Sequence, residues 1–225
     1  MARKAKYTIN GEAALSVTSL TDFIDSQWKE FWFRKYGFEE CDRIRKESTE
    51  FGHKVHAIVE QFLRKEPYML VEGDRVSTCA GLVIDWCKQA QLNILPLPQV
   101  FGENAGKPAC EFEVVSKELM LVGHPDGIGT FGTNPLPWII DWKTSKKMSL
   151  TYKLQVAAYA QAWFEMTGQR IDDAAIIRVE KDPNEPVQFE TIEVHEIFQK
   201  FVPVVREAKS IYDFLKGKGK WKEAA

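Results

Sequence analysis

Two runs decide how this chain is read. They are Gly123-His124-Pro125-Asp126-Gly127-Ile128 and, past a turn over Gly132-Thr133-Asn134-Pro135, Ile139-Ile140-Asp141-Trp142-Lys143-Thr144. The first belongs to a strand from Leu119 to Thr130 and the second to a strand from Trp138 to Thr144. Strand side chains alternate, so Asp141 and Lys143 project to one face while Trp142 points to the other. Asp126 lies on the preceding strand, which lets the two carboxylates meet across neighbours. Ile139 and Ile140 give Asp141 an apolar setting, where a charge is costly unless a cation pairs with it. A hard divalent cation supplies that pairing, because magnesium takes a few carboxylate oxygens together with water and phosphate.

Working outward, Cys110 to Ser116 reads as a further strand, with a turn at Ser116-Lys117. Tyr152 to Met166 reads as a helix that stops at Gly168. Strands follow at Ala174 to Glu180 and Val187 to Val194, split by the turn Asp182-Pro183-Asn184, and a last helix covers His195 to Leu215. Upstream, a short polar, basic start leads to a helix from near Leu20, with Ser19 and Thr21 or Asp22 as caps. That helix is expected to carry Phe23, Ile24, Trp28, Phe31 and Trp32 inward. A second helix, Thr49 to Arg64, gathers Val55, Ile58, Val59, Phe62 and Leu63 on one side, with Pro67 beyond its end. A third, Ser77 to Leu92, carries Leu82, Val83, Trp86 and Ala90, and Leu95 to Pro108 reads as a loop. The order implies one α/β domain over residues 1–225 with a mixed sheet. It divides into a helical section (17–108), a sheet-and-helix section (109–194) and a C-terminal helix with a basic tail (195–225).

Composition excludes some classes. The 225 residues are 44% hydrophobic and 28% charged, ordinary for a globular protein. The net charge of -2 does not advertise nucleic-acid binding, yet a local basic strip suffices for that, so the balance decides little. The four cysteines, Cys41, Cys79, Cys87 and Cys110, form no CxxC pair or zinc-like spacing and read as free thiols of a reducing compartment. The N-terminus lacks the apolar stretch of a signal peptide, and no run reaches ~18 apolar residues. An intracellular, cytoplasmic protein with no membrane partner is expected. The run Gly102 to Pro108 is too short between its glycines for a phosphate loop and has Pro in place of Ser or Thr, so ATP is excluded.

The chemistry open to the central trio is phosphodiester hydrolysis. A metal held by Asp126 and Asp141 polarises the phosphodiester and acidifies an attacking water, and a second ion would stabilise the leaving oxygen. Lys143 is placed to position that water and offset developing negative charge.

The ordered set Gly52-His53-Lys54-Val55-His56 (GxxxH), Glu111, Gly123 with Asp126, Asp141-Trp142-Lys143-Thr144 (DxKT), and Gln155 with Tyr159 (QxxxY) resembles the PD-(D/E)XK nuclease superfamily, RecB-like branch. The resemblance runs from about Val17 through Ala162. The run Glu111 to Ser116, followed by Gly123 and Asp126, is also similar to that of the mitochondrial genome-maintenance exonuclease family and related phage enzymes. It implies a restriction-endonuclease-like core, a central mixed β-sheet flanked by helices, with an N-terminal helical section. It further implies that His56, Asp126, Asp141 and the backbone carbonyl of Trp142 ligate Mg2+ or Mn2+, as one or two ions. Lys143 becomes the catalytic lysine, Gln155 orients it or a phosphate, Tyr159 supports the helix against the site, and Glu111 assists a second metal through water. Glu113 faces the same way as Glu111 by strand alternation, and the family match selects Glu111.

The activity so implied is a metal-dependent DNA exonuclease engaging single-stranded ends, in replication, repair, recombination or phage genome processing. Its expected partners are DNA and a single-strand-binding or recombination protein, in a phage or its bacterial host. The alternatives are a structure- or sequence-specific endonuclease on the same core and a non-catalytic DNA-binding accessory protein. Iron–sulfur relatives carry cysteines flanking the core; no cysteine follows Cys110, so such a cluster is not expected. Lys146, Lys147 and Lys153, and Lys216, Lys218, Lys220 and Lys222 in the tail, are placed either to meet DNA phosphates or to form a solvated edge. For Trp28, Trp32 and Phe33, core packing competes with stacking on bases. Nothing in the sequence fixes an oligomeric state, and His53, His124 and His195 match no ligand position.

Overall fold

A computed structural model describes residues 6–171, 173–181, 187–193 and 195–215, with backbone alone for 26–29. Asn10 and Gly11, both at positive φ (51° and 83°), turn the chain between β1 (Tyr7–Ile9) and β2 (Glu12–Ser16). Asn-Gly is the favoured pair for such a two-residue turn, so residues 7–16 form a hairpin where the sequence reading places only a polar start; residues 1–5 lie outside the described residues. Helix α1 (Val17–Ile24) follows directly, and Ser16 caps it by accepting the Ser19 backbone N–H at 3.1 Å. The first helix therefore begins before Leu20, and the cap is Ser16 rather than Ser19, Thr21 or Asp22.

Asp25 interrupts the helix and accepts a hydrogen bond from the Thr151 hydroxyl at 3.1 Å. The chain continues as α2 (Ser26–Tyr36), on which Phe31 is 69% exposed, not inward as expected. The Trp28 side chain lies outside the described atoms. Helix α3 (Phe38–Leu63), 26 residues long, starts well before Thr49. Helix α4 (Arg75–Gln89) is capped by Asp74, whose carboxylate accepts the Ser77 N–H at 2.8 Å.

Next come β3 (Leu92–Ile94), a 3-10 segment (Gln99–Asn104) and β4 (Val114–Ser116). The expected strand from Leu119 to Thr130 is two strands, β5 (Leu121–Gly123) and β6 (Gly127–Phe131), in different sheets. His124-Pro125-Asp126 makes the crossing; proline has no N–H to give a ladder. Then follow β7 (Trp138–Lys143), α5 (Leu150–Thr167), β8 (Asp173–Arg178) and β9 (Gln188–Glu193). A π-helical segment (Glu196–Phe201) runs into α6 (Val202–Asp213). The turn expected at Asp182-Pro183-Asn184 and the tail lysines Lys216 to Lys222 lie outside the described residues.

The fold is mixed α/β, as expected, but with two mixed sheets: β1-β2-β5-β4 and β3-β6-β7-β8-β9. In the second, β7 pairs antiparallel with β6 and parallel with β8. Alternation along β7 sorts its side chains into two cores. Ile139 packs with Leu154, Ala158 and Trp163 of α5. Ile140 and Trp142 pack with Val55 and Val59 of α3 and Val83 of α4. Each fully buried aliphatic contributes about 1.5–3 kcal/mol, so a one-residue slip of β7 would forfeit both cores. That penalty fixes the register that presents Asp141 and Lys143 on the α5 side. Among the described residues, no helix is long and apolar enough to cross a membrane.

Candidate active site

Asp126 stands where the chain leaves one sheet for the other. Its Oδ2 accepts the Trp142 backbone N–H at 2.8 Å, replacing a ladder bond that β6 is too short to make. Its Oδ1 lies 3.3 Å from His56 Nδ1. His56 comes from α3, on the opposite side of the sheet from α5, and its ring is tilted against Trp142 with centroids 5.9 Å apart. The helix approaches this closely because Gly52 sits where a Cβ would be 3.3 Å from the Thr144 hydroxyl. That contact gives the glycine of the GxxxH motif a physical purpose.

Glu111 completes the cluster, with Oε1 3.4 Å from His56 Nδ1. It reaches there from a left-handed backbone (φ 49°) held by its own N–H, which donates to the Pro125 carbonyl at 3.1 Å. A non-glycine residue at positive φ is uncommon, and such strain gathers at functional sites. Strand alternation does not apply to a residue so bent. Glu111 thus turns inward while Glu113 stays exposed, 3.9 Å from His124. Ligand atoms of His56, Glu111 and Asp126 all lie within 4.8 Å of one another.

Asp141 is fully buried and makes its close contact with Lys143. Nζ stands 2.8 Å from either carboxylate oxygen, but only Oδ1 receives a well-angled hydrogen bond. Oδ2 is buried with no hydrogen bond of its own. On α5, Gln155 donates to the Tyr159 hydroxyl at 2.7 Å, so the partner it reaches is Tyr159. The Tyr159 ring fits because position 123 is glycine; a Cβ there would stand 2.3 Å from Tyr159 Cε1. His56, Glu111, Asp126, Lys143, Gln155 and Tyr159 share the lining of a cleft of about 460 Å³, together with Thr18 and His53.

The charges are strongly coupled. Burial works against a charged His56, but the Asp126 charge and hydrogen bonds to Asp126 and Glu111 prevail and raise its pKa to about 10. Burial raises Asp141 to about 6, with Asp126 adding to the rise and Lys143 opposing it. Lys143 loses to burial but gains more from Asp141 and Asp126, so its pKa is raised. Asp126 is pushed up by burial and pulled further down by His56, for a net lowering. Burial raises Glu111.

Three carboxylates crowded this way require positive charge, which Lys143 and a protonated His56 supply and which a bound ion can supply in place of the histidine proton. The donor set, carboxylate oxygens with one imidazole, fits a hard or borderline divalent ion. The unbonded buried oxygen of Asp141 fits the same group.

Of the other candidates, Lys146 and Lys147 are exposed beside the site, and Arg178 donates to the Ser145 and Lys146 carbonyls at 2.9 and 3.2 Å. Lys153 is ion-paired with Glu190. Trp32 and Phe33 are half-buried. All four cysteines are free and buried. Burial raises Cys110 to about 11 and Cys87 to about 12, which removes their thiolates from chemistry at neutral pH. The residue-level surprises are Arg178, His53 and Thr18; nothing in their local sequence marked the first.

A carboxylate–lysine strand beside a histidine–carboxylate cluster fits a nuclease site. The chain belongs to the PD-(D/E)XK nuclease superfamily, whose family model matches residues 14–218. No curated relative matches the sequence. Among solved structures it is similar to the protein SSO0001, at 12% identity and TM-score 0.45, covering 93% of this chain and 78% of that one. A Eubacterium rectale protein provisionally described as an exonuclease matches at 12% identity and TM-score 0.42, covering 74% and 67%. An alkaline exonuclease from Laribacter hongkongensis matches at 13% identity and TM-score 0.34, covering 73% and 82%.

Proposed function

We propose that this nuclease is a Mg2+- or Mn2+-dependent deoxyribonuclease, one domain over the whole chain, that removes nucleotides from single-stranded ends. One observation carries the metal dependence: His56, Glu111 and Asp126 converge within 4.8 Å beside the Lys143–Asp141 pair. The preference for DNA ends rests on the RecB-like motif set, GxxxH with DxKT and QxxxY. A cytoplasmic role in DNA replication, repair, recombination or phage genome processing follows from the same resemblance.

His56, Asp126 and Glu111 would hold the ion, with Asp141 and the Trp142 carbonyl on its open side. The carbonyl is suitably aimed, because the N–H and C=O of one strand residue point the same way and this N–H meets Asp126. When bound, the ion supplies Lewis acidity toward the phosphate and an acidified water. Lys143 stays protonated at neutral pH, since its pKa is raised. In that protonated form it would offset negative charge on the phosphate and orient the water. Gln155 and Tyr159 hold each other and line the cleft with Lys143 and His56.

The test uses end-labelled linear and circular DNA, single- and double-stranded, with magnesium, manganese or EDTA. Expected is degradation of linear single strands from an end, intact circles and silence in EDTA. Cleavage in EDTA, or none with any metal, overturns the reading. Cutting of circles favours the endonuclease.

A further inference from the structure

A second cavity, of about 530 Å³, adjoins the catalytic cleft and shares Glu111 and His124 with it. Resting on the deoxyribonuclease reading, we propose that this cavity receives the unpaired base and sugar of the nucleotide next to the scissile phosphate, which makes a single strand the required substrate.

Position is the first argument. Along α3, His53, His56 and Glu60 line the catalytic cleft, and Arg64, the next turn on, lines the second cavity. Residues three and four apart share a helix face, so the two cavities adjoin along that face and meet at Glu111 and His124. A strand with its phosphate at Asp126 and Lys143 and its chain laid along α3 must pass over Glu111 and His124 into this cavity.

Chemistry is the second. The floor is apolar and rigid: Leu97, Phe112 and Phe101, whose ring is stacked on Trp163 at 5.7 Å and meets Phe112 edge-on at 5.4 Å. Arg64 and Lys107 supply cations at its border. Arg64 gives one N–H to Glu60 and one to the Cys110 carbonyl, which leaves others of its five for a phosphate oxygen. Apolar and aromatic surface with cations along the edge is how non-sequence-specific sites take single strands. Glu113, on the catalytic border, repels phosphate, which favours the Arg64–Lys107 side for the backbone.

Size is the third. Pockets of roughly 300–1,000 Å³ take small organic ligands, and at about 530 Å³ this one is of a size for one nucleoside rather than a base pair. A paired end would have to fray first.

Val100, 54% exposed, stands over the cavity, so Val100→Trp fills it without entering the core. Lys107→Glu, on an exposed side chain, tests the charged border. Each variant, checked by circular dichroism, is assayed on a single-stranded oligonucleotide with one abasic position walked along it. In the wild type, an abasic residue at one fixed distance from the cut is expected to raise KM about tenfold, the worth of one stacked base. Val100→Trp should raise KM by a similar factor, far more than kcat falls, and erase the penalty of that abasic position. Equilibrium binding of the same oligonucleotide with calcium in place of magnesium reads the cavity without any cleavage. Failure of the nuclease reading would therefore show as binding without turnover. Wild-type affinity in both variants, or an abasic penalty that survives Val100→Trp, overturns the proposal.

Discussion

Asp126 divides its two oxygens between Trp142, whose backbone N–H it accepts at 2.8 Å, and His56, whose Nδ1 it faces at 3.3 Å. One carboxylate thus fixes the end of β7 and prepares a ligand cluster. Asp126→Asn keeps an acceptor for the N–H and removes the charge. It should stay folded and lose cleavage by about 10²–10³-fold. Asp126→Ala also strands a buried N–H, adding a destabilisation of about 1–3 kcal/mol. Single-turnover rates and urea denaturation separate the two effects; an Asn variant as active as wild type removes Asp126 from the site.

The buried pair behaves differently. Lys143→Met leaves the Asp141 carboxylate buried without its partner, which destabilises by about 3–5 kcal/mol unless the acid takes up a proton. Since Asp141 already sits at about 6, that proton is readily taken. The variant should therefore be more stable at pH 5 than at pH 8, with activity down about 10²–10³-fold. Adding Asp141→Asn should restore stability at pH 8 but not activity. Thermal melts of the three proteins decide it, and equal stability at both pH values in Lys143→Met sinks the argument.

Much of this was legible in the chain. Alternation over Ile139 to Lys143 placed Trp142 and the Asp141–Lys143 pair on opposite faces, because burial on both sides of β7 leaves no other register. The helix end at Gly168 was readable because glycine takes the left-handed cap there (φ 71°), and the strand pair β8–β9 from two β-rich runs split by a turn. The β1–β2 hairpin carried a signal, Asn10-Gly11, that short flanking strands of three and five residues made easy to pass over. The break at His124 to Asp126 carried a signal too, Pro125 between Gly123 and Gly127, which a single strand from Leu119 to Thr130 passes over. The positive φ of Glu111 could not be read at all, since glycine usually marks such a position and glutamate does not. Its place beside His56 depends on the Pro125 carbonyl, a contact made only once the two sheets have formed.

His56 predicts a proton balance. Its pKa, raised to about 10 without metal from an ordinary ~6.5, means the folded state binds this proton more tightly than the unfolded one. The stability so gained is full below about 6.5 and is lost as pH rises through about 10. A ligating imidazole must be neutral, so manganese binding at pH 8 should expel close to one proton and tighten as pH rises. Calorimetry in buffers of different ionisation enthalpy measures this. His56→Gln should bind more weakly, by about 10–100-fold, and release no proton; unchanged release in that variant would exclude His56 as a ligand.

Gly123 and Tyr159 form a steric pair. Alanine at 123 would put its Cβ 2.3 and 2.7 Å from Tyr159 Cε1 and Cδ1 and 3.0 Å from a Val17 methyl. The ring must shift, which breaks the 2.7 Å hydrogen bond from Gln155 and disturbs the wall beside Lys143. Gly123→Ala should cost about 1–3 kcal/mol of stability as an overpacking change and reduce kcat more than it alters metal affinity. Tyr159→Phe should not relieve it, because the conflict is with ring carbons rather than the hydroxyl. Tyr159→Leu should: in that background the further cost of Gly123→Ala ought to shrink by more than 0.5 kcal/mol, the coupling expected of residues in contact. Additive effects in this double-mutant cycle would show that the glycine serves some purpose other than seating Tyr159.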